Sequence, residues 1–185
     1  MTDKKSILNS AGSAGLVLGG ISIAYLLLGW VINLTGIHGI LGGLLSGILW
    51  LAKFIVCIWL MNYFMKKYYA SNPGCTHGEL FKFGFYVAVC SAVLYSAGYL
   101  AYSLFLAPEM ISEAMDQVME SYSSMLDSNS MESISNMMDK MPQISFFTNL
   151  IYCTLFGTIL SAIFSAKIAP SNPFEEGGDK PADEQ

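Results

Sequence analysis

The 185-residue sequence contains no arginine: all nine of its basic side chains are lysines, set against 14 carboxylates for a formal net charge of -5. Arginine is the side chain whose planar fork grips phosphate or carboxylate bidentately, and nucleic-acid binding rests on neutralising phosphates. Its absence, with a negative net charge, argues against a nucleic-acid partner. Charge of either sign is scarce, at 12% of residues, where a soluble domain carries about a quarter. The only histidines, His38 and His77, both lie between apolar stretches, so no Ser-His-Asp set can be assembled, and neither HExxH nor a glycine-rich phosphate loop after a strand occurs. Of four cysteines, Cys57, Cys90 and Cys153 sit inside apolar stretches, where a thiol acts as a small apolar group. Neither a disulfide framework nor a cysteine nucleophile is indicated. No enzyme and no cofactor are expected.

What the sequence has in abundance is apolar length. Hydrophobic residues make up 54% of the chain, and mean hydropathy is +0.50. A hydrocarbon core about 30 Å thick needs roughly 20 consecutive apolar residues in a helix. Four stretches meet this, at about 13–34, 39–65, 81–107 and 143–168, and none holds an acidic residue. The first exceeds a secretory h-region of roughly 7–15 residues and is read as a retained span. The expected fold class is an all-α integral membrane protein with four transmembrane helices. Residues 1–12 form a cytoplasmic N-terminus, 108–142 an extracytoplasmic amphipathic helical insert, and 169–185 a disordered acidic tail.

Lysine placement orients the chain, because cytoplasmic flanks are enriched in basic residues. Lys4, Lys5, Lys66, Lys67, Lys82, Lys167 and Lys180 fall on one side; Lys140 is the only basic residue of the opposite side, against seven carboxylates. Both termini of this multi-pass chain are therefore expected in the cytoplasm.

Close helix approach in lipid relies on small residues, and each span carries them four apart. They are Ala11, Gly15 and Gly19; Gly39, Gly43 and Gly47; Gly84, Ala88, Ala92 and Ser96; and Cys153, Gly157, Ser161 and Ser165. These stripes predict a compact bundle, although a homo-oligomer or a membrane-protein partner would use such a stripe equally well. Eight of the 11 methionines fall in the insert. Ile111, Met115, Val118, Tyr122 and Met125 share one helical face, and Met131, Ile134, Met138 and Met141 another. These amphipathic helices are expected on the membrane surface or over the bundle. A Met-lined docking surface is the sharper alternative.

Two constellations carry candidate chemistry. Lys53 stands near the middle of the second span, where a lysine costs roughly 2.5–3.5 kcal/mol on insertion scales. By residue count Tyr25, Tyr95, Thr154 and Thr158 lie at similar depth, so their hydroxyls are expected to solvate it. Either Lys53 marks an intramembrane proton, ion or lipid-headgroup site, or it snorkels as a structural device. In the loop before span three, Cys75, His77 and Glu79 offer weak metal candidates. A structural zinc site wants about four ligands with paired spacing, so no metal is expected there.

The Lys-Lys start before a Gly-rich span, the passage Gly78-Glu79-Leu80-Phe81-Lys82-Phe83-Gly84 into span three, the acidic insert and the closing Ser171-Asn172-Pro173-Phe174-Glu175-Glu176 form a pattern. With these features the chain resembles the domain of unknown function 4199 family, bacterial four-span inner-membrane proteins found mostly in Bacteroidota. The resemblance runs over nearly the whole chain, which departs from the family in its Met-rich insert. It implies architecture and localisation, places Gly84 and the Glu79 region in a shared structural feature, and carries over no catalytic residue. The expected function is a non-enzymatic accessory or interaction protein; the alternative is a small transporter or ion/lipid-handling protein centred on Lys53.

Overall fold

A computed structural model describes residues 4–34, 40–106, 137 and 140–169. The amphipathic faces expected over 111–136, the turn at 36–38 and the tail beyond 169 fall outside the described residues. The four helices are α1 (Lys4–Leu34), α2 (Ile40–Ser71), α3 (His77–Ala101), continued by a π-helical turn at Tyr102–Leu106, and α4 (Met141–Ile168). Each contains a stretch long and apolar enough to cross a membrane: Ile7–Ile32, Gly43–Ser71, His77–Leu106 and Met141–Ile168. No strand occurs among the described residues. Helices suit such segments because lipid offers the backbone no hydrogen-bond partner, so each N–H and C=O must be satisfied within its own span. The chain is a multi-pass membrane protein.

The helices outrun the apolar windows that announce them. Helix α1 starts at Lys4, and Ile7, expected in a separate N-terminal segment, is buried in the core with Ala11 of the packing stripe. Helix α2 continues past residue 65 to Ser71, burying Tyr68 with its ring stacked on Phe83 at 4.1 Å. Lysines beside these positions end an apolar count without ending a helix.

A five-residue turn joins α2 to α3, and its sequence accounts for it. Pro73 disfavours helical backbone at Asn72, whose side-chain amide donates to Tyr68 O at 2.9 Å over the helix end. Gly74 takes φ +89°, a left-handed conformation that suits a residue with no Cβ. Thr76 then opens α3 with a capping box: its hydroxyl accepts from Glu79 N–H, and the Glu79 carboxylate accepts from Thr76 N–H. Thr76→Ala is expected to cost about 1 kcal/mol and to speed amide exchange in the first turn of α3, as hydrogen-exchange mass spectrometry in detergent would register.

Helix α3 is the spine of the bundle, packed closely along α4 and α1, while α2 lies more lightly against the other three. Glycines set these contacts. A Cβ at Gly15 would sit 2.5 Å from Cys90 Cβ, and one at Gly19 2.9 Å from Leu94; across the same seam Gly98 faces Ile23 at 2.7 Å. On the other side, Gly84 admits the Ser161 side chain and Gly157 admits Ala88. Ser161 also donates to Phe81 O at 2.9 Å, a polar tie between α4 and α3. The stripe on α2 is the exception: among the described residues nothing lies within 4 Å of a Cβ at Gly43 or Gly47, so there it packs against none of the other three helices. The difference is one of position along the helix: Met61 and Met65 lie 18 residues, about five turns, beyond Gly43 and Gly47 on the same face, and only their end of α2 is buried in the core. Ile7, Ala11, Leu18, Met65, Leu80 and Phe83 place the core toward the α2–α3 turn, leaving the other half of the bundle loosely filled.

Candidate intramembrane cation site

In that loosely filled half Lys53 occupies the boundary of two cavities. The inner one, about 120 Å³, is lined by residues of all four helices, among them Ser22, Lys53, Cys57, Ser91, Tyr95 and Cys153. The outer one, about 220 Å³, runs past Tyr25, Trp30, Ser46, Trp50 and Tyr102 and includes Lys53 and Tyr95 again. From Ser46 to Met61 the two follow α2 for about 22 Å at the helical rise of about 1.5 Å per residue. The ammonium of Lys53 lies over the Tyr95 ring, 3.8 Å from its centroid. This cation–π contact is worth about 0.5–2 kcal/mol, which offsets only part of the cost of holding a lysine at this depth. No carboxylate answers it: among the described residues the only acidic side chain is Glu79, and Glu79 lies 16 residues before Tyr95 on α3, about 24 Å along the axis.

Aromatic rings wall the inner cavity toward α2 and α4. Trp50 stacks on Phe54 at 5.5 Å, Phe54 meets Phe156 across the two helices at 4.8 Å, and Phe156 stacks with Tyr152 at 6.4 Å. On the α1 side the Ser22 hydroxyl and the Cys57 thiol are 3.6 Å apart. The site thus combines one fixed positive charge with apolar walls and a few hydroxyl and thiol groups. That composition holds an anionic group by charge and its apolar part by burial.

The structure brings two of the four expected hydroxyl residues to Lys53. Tyr95 touches it and Tyr25 lines the outer cavity with it, whereas Thr154 and Thr158 line neither. Thr158 instead donates to Thr154 O at 2.7 Å within α4. Counting residues gives depth but not azimuth, and about 100° of rotation per residue puts Cys153, Phe156, Gly157 and Leu160 on the inward face in their place. Cys153 and Gly157 belong to the small-residue stripe of this span, whereas Phe156 and Leu160 carry no such mark; on α2, Trp50, Lys53, Phe54, Cys57 and Met61 carry a visible signal in their helical spacing around Lys53.

The weak metal candidates do not converge. Glu79 is taken by the capping box, His77 Nε2 lies 3.2 Å from Ser165 Oγ, and the Cys75 thiol donates to Thr76 O at 3.6 Å. Ser165 Oγ also lies 3.0 Å from Ala162 O. No cluster of metal-ligating side chains forms among the described residues. Burial, and then the Glu79 charge, push the Cys75 thiol above its ordinary range. Because the thiolate is the reactive form, maleimide labelling of Cys75 is expected to stay slow at neutral pH and to accelerate only above about pH 8.5, the ordinary thiol value. Fast labelling at pH 7 in a Cys57→Ala/Cys90→Ala/Cys153→Ala background would contradict this.

No curated protein and no solved structure matches the chain. The family model described as "Protein of unknown function (DUF4199)" matches residues 13–168, the segment that holds all but the first turns of the bundle, and the chain belongs to that family.

Proposed function

We propose that this protein is a non-enzymatic bundle of the bacterial inner membrane, with both termini cytoplasmic, that holds an anionic headgroup at Lys53. The observation that carries the reading is the position of Lys53 on both cavities with no carboxylate near it among the described residues. A lysine kept at such a depth for structure alone would call for a counter-charge; one kept for a ligand receives it from the ligand. Native mass spectrometry of protein extracted in mild detergent tests the idea. Wild type is expected to retain an acidic adduct that Lys53→Met lacks, and identical adduct patterns would overturn the reading. For the orientation, a reporter fused after Asp127 is expected outside the cytoplasm and one after Gln185 inside.

A second reading, that of an accessory protein engaging a membrane partner or a second copy, is favoured by the open glycine stripe of α2. With Gly43 and Gly47 facing nothing within 4 Å, that face admits another helix at close range. Gly47→Leu is expected to abolish any dimer or partner recovered on native extraction, and recovery of bare monomer from wild type would remove this reading.

A further inference from the structure

Around Lys53 two of the seams between helices are shut. Glycine contacts seal α1 against α3, where Gly15 meets Cys90, and α3 against α4, where Gly157 meets Ala88. The Ser22 and Cys57 side chains, 3.6 Å apart, bridge α1 and α2 one turn from Lys53, and beyond Lys53 the outer cavity parts these two helices. The seam between α2 and α4 is different. Backbone packing there is light, and closure comes from side chains, Phe54 resting on Phe156 at 4.8 Å. Trp50 and Tyr152 flank this pair, and each lines the inner cavity while remaining 58% exposed. A residue that is more than half exposed and also lines an internal cavity marks its mouth. Here the mouth faces lipid.

We infer that a single-chain fatty carboxylate passes laterally from the bilayer through the α2–α4 seam to Lys53, with Phe54 and Phe156 as the movable closure; this rests on the reading of Lys53 as an anion site. Ring rotation opens the seam without shifting a helix, since rotamer changes are fast compared with helix motions. The charge matches one to one, a lone ammonium with a lone carboxylate. Size matches as well: a cavity of about 120 Å³ is comparable to an engineered cavity of about 150 Å³ that accepts benzene. It holds a carboxylate and its first methylenes, while the rest of one chain trails through the seam into the membrane. A glycerophosphate would have to thread two chains through the same seam.

The full chain, carrying Trp30→Phe and Trp59→Phe so that Trp50 is its only tryptophan, is reconstituted in neutral phosphatidylcholine vesicles and titrated with dibrominated stearate, whose bromines quench a nearby indole. Saturable quenching is expected. Lys53→Met is expected to weaken the apparent affinity about 30-fold. Phe54→Ala and Phe156→Ala are expected to raise the stopped-flow association rate about tenfold while changing affinity less than about threefold. Phe54→Leu, which retains most of the volume, guards against misfolding of the alanine variants and is expected to shift the rate in the same direction. Unchanged rates in all three phenylalanine variants, with quenching still dependent on Lys53, overturn the seam and leave the anion site standing. Quenching indifferent to Lys53→Met overturns both. Competition by phosphatidylglycerol as effective as that by oleate overturns the single-chain assignment.

Discussion

Gly84→Val is expected to loosen α4 from α3 and to lower stability by about 2–4 kcal/mol. Gly84 is where three helices meet: a Cβ there would strike the Ser161 side chain of α4 and come within 3.1 Å of Met65 Sδ on α2. Neither neighbour has room to retreat, since Ser161 and Met65 are both fully buried. Moving Ser161 also breaks its 2.9 Å hydrogen bond to Phe81 O, leaving a buried carbonyl with a poorer partner. The matched controls are Gly12→Val and Gly20→Val on α1, where a new Cβ meets nothing within 4 Å, so only a small change is expected. Reversible unfolding in mixed detergent micelles gives the comparison. Equal losses at Gly84 and Gly12 would mean that close helix approach does not hold this bundle together.

Lys53→Met is expected to raise stability by about 0.5–3 kcal/mol while removing the bound anion. Its sign follows from two opposed terms. Removing a lysine from the membrane interior recovers about 2.5–3.5 kcal/mol of insertion cost. Losing the contact over the Tyr95 ring gives back about 0.5–2 kcal/mol of it. Methionine is unbranched and adaptable, so it fills the stem's space without new strain. A structural lysine predicts the reverse, a less stable variant, because Tyr95 and the cavity walls would lose the group they surround. Thermal unfolding in detergent, measured with and without added oleate, separates the cases: oleate is expected to raise the Tm of wild type and to leave that of Lys53→Met unchanged. A lower Tm for the variant in the absence of ligand would sink the functional account of this residue.

Much of this architecture was legible in the residues, because lipid imposes a coarse and readable rule. A span must be about 20 residues long and apolar, and four stretches satisfy that rule and become α1 to α4. Small residues four apart identified the packing faces of α1, α3 and α4 through Gly15, Gly19, Gly84, Ala88 and Gly157. On α2 the same pattern fell on the loosely packed end of the helix. Gly43 and Gly47 meet nothing within 4 Å among the described residues, while Met61 and Met65, about five turns on along the same face, are buried, because a small residue permits close approach without requiring it. The candidate site was half legible for a related reason. Lys53 was conspicuous as a charge in an apolar run, and depth alone picked out Tyr95. Rotation about α4 decided between Cys153 and Thr154, and the small-residue stripe through Cys153 and Gly157 already marked that inward face, which a count of depth ignores. Nor does any single-helix pattern reveal the Phe54–Phe156 pair, which exists only where two helices cross.

The central place of α3 has a consequence for how the chain is built. Helices α1 and α2 leave the ribosome first and are neighbours in sequence, yet the glycines of α1 close on Cys90 and Leu94 of α3. The first hairpin therefore has few tight contacts of its own, and the surfaces that close it are supplied by the third helix. Helix α4 sets its Gly157 and Ser161 against another face of α3. A chain stalled before its third span is therefore expected to hold two helices and no bundle.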